Sequence, residues 1–189
     1  MPELPEVETT GRGIAPHIVG KKISHVVVRH RQLRWPISTD FEANLLGECI
    51  ESVTRRAKYL LIKTPSGTLI AHLGMSGNLR IVDATAPVKK HDHVDIVFDE
   101  QTVLRFNDQR RFGALIWTVG DVMSHALLSH LGVEPLSSEF TGEYLFQLAQ
   151  KRRVPIKTFL MNSHIVVGVG NIYANEALFM AGILPTRHA

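Results

Sequence analysis

Residues 93–98, His93-Val94-Asp95-Ile96-Val97-Phe98, put Val94, Ile96 and Phe98 on one face and His93, Asp95 and Val97 on the other. That period of two marks a half-buried strand. Thr102 to Phe106 is read as its hairpin partner across Asp99-Glu100-Gln101. Working outward, Ala114 to Thr118, Asn78 to Val82, Thr68 to His72, Tyr59 to Ile62, Ile50 to Val53 and Ile23 to Val28 are further extended segments, with turn signals such as Pro65-Ser66-Gly67 between them. Residues from about 20 to 118 therefore read as a β-rich module of short strands, a sandwich or barrel.

A helix precedes the module. Pro5 suits a first helical turn, because its missing N–H would be unpaired there anyway, and Glu6 and Glu8 suit the positive end of the helix. Val7, Gly11, Ile14 and Ile18 share one face; a glycine on a buried face implies close packing. Gly20 marks the stop. Phe41 to Leu46 is read as a short helix. The pattern changes at Gly120-Asp121. Asp121 is expected to cap a helix through Ser129, and Thr141 a helix from Glu143 to Lys151. Pro155 opens another through about Met161, and the double turn Val166-Val167-Gly168-Val169-Gly170-Asn171 leads into one from Ile172 to about Ala181. The fold class is α+β: a domain over 1–119 with the N-terminal helix and β-module, then an all-helical domain over 120–189.

The 189 residues are 44% hydrophobic and 21% charged, an ordinary soluble balance. Ten histidines, a net charge of +3 and a pI near 9.2 favour an anionic partner. No run of eighteen apolar residues is present, so no membrane span is expected, and the acidic, proline-bearing N-terminus reads as mature and cytoplasmic. Cys49 is the only cysteine, which excludes an internal disulfide and a cysteine-cluster zinc site within these residues.

Several residues carry chemistry beyond packing. Removal of Met1 would leave Pro2 as a free secondary amine, able to attack a carbonyl-like carbon and form an iminium. Glu3 beside it can trade protons; the alternative is a frayed terminus. Arg29-His30-Arg31-Gln32-Leu33-Arg34-Trp35 is a basic run with an aromatic, either a solvated loop or a nucleic-acid contact. Lys58 heads an apolar strand after Arg55 and Arg56. Leu73-Gly74-Met75-Ser76-Gly77 is a tight loop that either exposes Met75 or uses it as a core plug. Asn107 to Gly113 is a polar loop with Arg110, Arg111 and Phe112. Lys151-Arg152-Arg153 is a basic knot, and backbone N–H groups from Gly168 to Asn171 form a phosphate cradle at a helix start.

The opening PELPEVET, the strand entry RRAKYL, the loop HLGMSG, the pair KHDH, the loop DQRRFG and the turn VGVGNIYANEALF follow one another in one order. Together they resemble the bacterial formamidopyrimidine-DNA glycosylase family, over essentially the whole chain. The resemblance implies a base-excision repair enzyme that removes oxidised purines such as 8-oxoguanine and formamidopyrimidines, with strand cleavage by β,δ-elimination. It also implies a helix-two-turns-helix DNA-binding domain, here incomplete at Ala189. Pro2 matches the nucleophile, Glu3 the carboxylate that assists sugar-ring opening, and Lys58 the proton donor in β-elimination. Met75, Arg110 and Phe112 match the residues that fill the space a flipped base leaves. His91, Arg110, Arg152 and Asn171 match DNA-contacting positions, with His72, Arg111 and Lys157 as neighbours.

The implied partner is double-stranded DNA containing an oxidised base, met by a monomer in the cytoplasm, at the nucleoid. The family's C-terminal finger binds one zinc through four cysteines, none of which is here, so no metal or cofactor is expected in this chain; it reads as a fragment or part of a longer protein. Two neighbouring readings are an endonuclease VIII-like glycosylase for oxidised pyrimidines, which favours glycine where Leu4 stands, and a non-catalytic damaged-DNA-binding fragment with a blocked N-terminus. A metal-binding regulator built on His91, Asp92 and His93 has only two histidines on one face.

Overall fold

The computed structural model describes residues 2–189; the expected processing of Met1 lies outside them. The chain divides into two compact units, Met1–Val122 and Met123–Ala189.

In the first unit, helix α1 (Leu4–Ile18) starts at Glu3 in a reciprocal capping box: the Glu3 side chain receives the Glu6 backbone N–H, and the Glu3 N–H donates to Glu6 Oε2 at 2.9 Å. Its buried face is Leu4, Val7, Gly11, Ile14 and Ile18. A Cβ on Gly11 would meet Leu60 Cδ2 at 2.8 Å, so the expected close packing is real. Pro16 is accommodated inside the helix, which ends at Ile18, and Gly20 turns the chain with φ of 80°.

Eight strands follow: β1 (His25–Val28), β2 (Ser52–Arg56), β3 (Tyr59–Lys63), β4 (Thr68–His72), β5 (Asn78–Val82), β6 (Asp92–Asp99), β7 (Thr102–Asn107) and β8 (Ala114–Thr118). A short helix α2 (Phe41–Leu45) stands between β1 and β2. The strands form two four-stranded antiparallel sheets, ordered β1-β6-β7-β5 and β2-β3-β4-β8. Val94, Ile96 and Phe98 of β6 and Leu104 and Phe106 of β7 join Leu60, Ile62, Leu69 and Leu115 of the other sheet, with Val7, Ile14 and Ile18 of α1, in one core. The opposite face of β6 is not the wet face that simple alternation implies. Asp95 lies across from Arg105 and takes it bidentately at 2.8 Å and 2.8 Å, and Arg29 also donates to Asp95, at 2.6 Å. Asp92 takes Arg80 at 2.9 Å. These buried charges are paired and hydrogen-bonded, as burial requires.

In the second unit, α3 (Gly142–Ala149) is capped by Thr141, whose Oγ1 accepts from Tyr144 N at 3.0 Å. The helix stops two residues before the expected Lys151, which takes a left-handed φ of 63°. Helix α4 (Ile156–Leu160) and helix α5 (Asn171–Met180) flank the glycine-bearing double turn. One expectation fails. Residues 121–129 do not form a helix; there is a single 3-10 turn at Val122–Ser124 followed by turns. The His125 ring Nδ1 accepts the Leu127 N–H at 3.2 Å, taking an amide that a helix would use.

Candidate active site and nucleic-acid face

Pro2 immediately precedes the α1 cap and is half-buried; Glu3 is 2% exposed. Pro2 is thus set by the helix start, and the alternative of a frayed terminus does not hold. Lys58 occupies the two-residue turn Ala57-Lys58 between β2 and β3, whose pairing closes at Arg56 and Tyr59. Ala57 takes a φ of 54°, a left-handed conformation uncommon for a residue with a Cβ. The turn is held by Arg55, which donates to Ala57 O at 2.9 Å and to Glu8 Oε2 on α1 at 2.9 Å. Burial pushes the Lys58 ammonium below the usual lysine range, against the opposing pull of the Glu3 and Glu6 carboxylates. Glu8, hydrogen-bonded by Arg55 and Arg12, is held below the usual carboxylate range. Glu3, Glu6 and Lys58 thus share one electrostatic neighbourhood beside Pro2.

His72 ends β4 and tilts over Tyr59 at 4.8 Å between ring centroids. Its Nδ1 accepts the Gly74 N–H at 3.1 Å. Burial first, then the nearby charges of Arg34 and Lys58, lowers it to about 4, so it is neutral at physiological pH. The Gly74 contact fixes the base of the Met75 loop. Met75 is 41% exposed and Phe112 is 42% exposed, so neither is a core plug. The two loops touch through their backbones: a Cβ on Gly74, whose φ is 61°, would stand 2.4 Å from Phe112 C. The Arg110 guanidinium lies 4.6 Å over the Phe112 ring.

At the end of the sheet where β1 and β7 finish and β6 begins is a recess of about 530 Å³ that includes His30, Lys89, Lys90, His91 and Arg111 in its lining. Arg111 has φ of 60° and its Nη1 donates to His30 Nε2 at 3.0 Å. Asp92, the acidic member of the postulated metal trio, is engaged by Arg80, Asn107 and the Lys89 N–H. Within the basic run, Arg29 and Arg31 are held by Asp95 and Glu42, while Arg34 lies 4.6 Å over Trp35 and acts on His72.

In the second unit, Arg152 is exposed, with Nε donating to Leu148 O at 3.3 Å, and Lys157 is half-buried on α4. Asn171 is the exposed first residue of α5, after Gly168 (φ 78°) and the cap Gly170. The double turn is fixed within its own unit: Val167 N donates to Val133 O at 3.0 Å, Gly132 N to Ser163 O at 2.8 Å, and Tyr144 Oη to Ile165 O at 2.7 Å. The turn leads directly into a ten-residue helix.

Residues 1–115 match the formamidopyrimidine-DNA glycosylase N-terminal domain, and residues 131–189 match the formamidopyrimidine-DNA glycosylase H2TH domain. The chain belongs to the formamidopyrimidine-DNA glycosylase family. The relative from Pseudomonas entomophila is 60% identical over 189 residues, which is all of this chain and 70% of that protein. The relative from Thioalkalivibrio sulfidiphilus is 55% identical with the same coverage. The Lactococcus lactis glycosylase, non-covalently bound to DNA containing an abasic site, superposes with a TM-score of 0.91 at 33% identity, covering 98% of this chain and 72% of that one. Its complex with DNA containing an oxidised pyrimidine gives 0.93 at 33% identity, covering 99% and 71%.

The sequence names Glu8, Arg55, Ser76 and His30 in their local settings but gives no sign of the contacts they make, and it gives Asp108 no role. Glu8 and Arg55 are 47 residues apart, and no local pattern links them. Lys89 and Lys90 were visible as cations beside His91, but their shared recess with Arg111 needs the fold.

Proposed function

We propose that the chain is a DNA glycosylase and abasic-site lyase that removes oxidised purines, such as 8-oxoguanine and formamidopyrimidines, from duplex DNA. The observation that carries this reading is the placement of Pro2 at the α1 cap beside buried Glu3 and the Lys58 turn. The Pro2 amine attacks C1′, and the bond from C1′ to the base breaks as the base leaves with a proton. Glu3 passes a proton to O4′ as the C1′–O4′ bond opens, leaving an iminium on Pro2. Loss of a C2′ proton then expels the 3′ phosphate, to which the Lys58 ammonium gives a proton; loss of a C4′ proton expels the 5′ phosphate. Water releases the remaining sugar fragment from Pro2. The lowered affinity of Lys58 for its proton suits a donor working near neutral pH.

The target nucleotide must leave the stack, which costs a few kcal/mol. Met75 and Phe112 fill the gap and Arg110 meets the orphaned base, offsetting that cost. His91, Arg110, Arg152 and Asn171 contact the DNA, with His72, Arg111 and Lys157 as neighbours. The protein works as a monomer in the cytoplasm, and among its described residues no helix is long and apolar enough to cross a membrane. The zinc of the family's finger needs four cysteines; the only one here is Cys49, and among the described residues no three His, Cys, Asp or Glu side chains converge. These residues do not fit that metal, and no step uses it.

The test is borohydride trapping on an abasic duplex with protein whose Met1 is shown to be removed. A covalent adduct, lost in Pro2→Gly extended by one residue at the N-terminus, is expected; no adduct with a free Pro2 would overturn the reading. Oxidised pyrimidines are a second substrate class, favoured by the Lactococcus lactis complex with such a lesion.

A further inference from the structure

Asp108 follows β7 and is 0% exposed. Its carboxylate is divided between two loops. Oδ1 accepts from Ser76 Oγ at 2.6 Å and from Arg110 N at 3.2 Å, and Oδ2 accepts from Gly113 N at 2.7 Å. Ser76 Oγ in turn accepts from Arg110 N at 3.1 Å, so the serine is a bridge between the Met75 loop and the Arg110–Phe112 loop. The Asp108 backbone is fixed as well. Its N–H donates to His91 O at 3.0 Å, and its carbonyl accepts from His93 Nε2 at 2.7 Å. Gly74 adds the backbone contact with Phe112 and Gly113.

A carboxylate removed from water is costly unless its oxygens are saturated by donors. Here the donors are N–H and O–H groups of two loops that are more than 30 residues apart, Ser76 and Asp108 being 32 apart. A merely apolar filling would leave those donors unpaired and the loops independent. Each loop carries one exposed apolar tip, Met75 or Phe112.

We propose that Asp108 is a positioning residue that joins the two loops into one preformed wedge before DNA arrives, with Ser76 as its bridge. The inference rests on the proposed function for what the wedge does, and on the hydrogen bonds for its existence. Ordering both loops during folding removes that entropy cost from the binding step. It also fixes Met75, Arg110 and Phe112 relative to one another, so that they enter one gap in the stack.

The test uses Asp108→Asn and Ser76→Ala in the full chain. Asparagine offers one acceptor oxygen where three donor contacts converge, and turns an N–H toward the others, so one loop is released. Amide hydrogen exchange at Arg110 and Gly113 is expected to accelerate at least roughly tenfold in Asp108→Asn, and at Arg110 in Ser76→Ala. Excision of a damaged base from an intact duplex should fall by roughly ten- to a hundredfold, the scale of about 1 Å of misplacement. Cleavage at a preformed abasic site, where no base has to be extruded, should fall by less than about threefold by the same reasoning. Unchanged exchange and excision in both variants overturn the proposal. Equal losses on both substrates also overturn it, because they assign Asp108 to general folding. If Asp108→Asn does not fold, Ser76→Ala decides by the same measurements. If the wild-type chain with free Pro2 acts on neither substrate, the proposed function fails, and the exchange measurements still decide whether Asp108 joins the loops.

Discussion

Glu8 and Arg55 are joined at 2.9 Å from Nε to Oε2, and the same guanidinium reaches Ala57 O at 2.9 Å, so the first helix holds the turn that carries Lys58. The Arg55 side chain is 16% exposed, which makes this link more than a surface ion pair. Arg55→Ala should cost about 1–3 kcal/mol, the range for a charged hydrogen bond lost from a partly buried site. It should also slow strand cleavage more than formation of the borohydride-trapped adduct, because the turn loosens while Pro2 keeps its cap. Because Glu8 is depressed by its arginines, this contribution is present above the ordinary glutamate value and is lost as pH falls through the lowered one. Equal slowing of adduct and cleavage would show that Arg55 serves the whole unit and not the turn.

His72 gives a second pH dependence of the same sign but a different cause, since burial and not an ion pair depresses it. Its folded-state value is about 4 against 6.5 unperturbed. Between those values the unfolded chain binds the proton and the folded chain resists it, so stability falls as pH falls from about 6.5 to about 4, by at most about 3 kcal/mol. Protonation at Nδ1 would also place a donor against the Gly74 N–H it now accepts. Denaturant unfolding of wild type and His72→Gln at pH 4.5 and 7, both pH values being about the ends of that window, checks this. The glutamine variant should show the shallower loss; identical pH dependence in the two proteins would refute the assignment.

The exposed tips separate stability from function. Met75→Ala and Phe112→Ala should each change unfolding free energy by less than about 1 kcal/mol, since an exposed tip leaves no cavity. Phe106→Ala, at a site 1% exposed, should lose about 3–5 kcal/mol. Gly74→Ala should also destabilise, because its Cβ has no room beside Phe112 and its φ is left-handed. Thermal melts of the four variants check the ordering. A core-sized loss at Phe112 would place its ring inside the protein.

Much of this is legible in the sequence. The faces of β6 and α1 follow from Val94, Ile96 and Phe98 and from Val7, Gly11, Ile14 and Ile18, because burial is written in the period of apolar residues. Residues 121–129 read as a helix because Asp121 offers a cap, but the ring of His125 competes for the backbone there. The charged face of β6 was half legible: alternation put Asp95 opposite the core, but nothing local announced that Arg29 and Arg105 would bury it. Pro2, Glu3, Lys58, Met75 and Phe112 were selected through their motifs. Asp108 and Arg55, which hold those residues in place, pair with partners far along the chain, and such partners have no sequence period.

A recess that grips phosphate, as proposed, predicts a salt dependence that the wedge does not. Lys89, Lys90, His91 and Arg111 open onto one concavity, and Arg111 is held there by a left-handed backbone and its bond to His30. Contacts to phosphate release counterions, so each one lost should flatten the plot of log affinity against log salt by about 0.9 on duplex DNA. Lys90→Gln and Arg111→Ala should each approach that change, equally on plain and lesion-bearing duplexes, because phosphate contacts carry no base information. Phe112→Ala removes no charge and should keep the slope while losing preference for the lesion duplex. Fluorescence anisotropy titrations across a salt series measure both quantities at once. An unchanged slope for Lys90→Gln and Arg111→Ala together would mean the recess faces away from DNA. A flattened slope for Phe112→Ala would mean the tip holds Arg110 against a phosphate through its ring contact at 4.6 Å, and that the guanidinium does not meet the orphaned base.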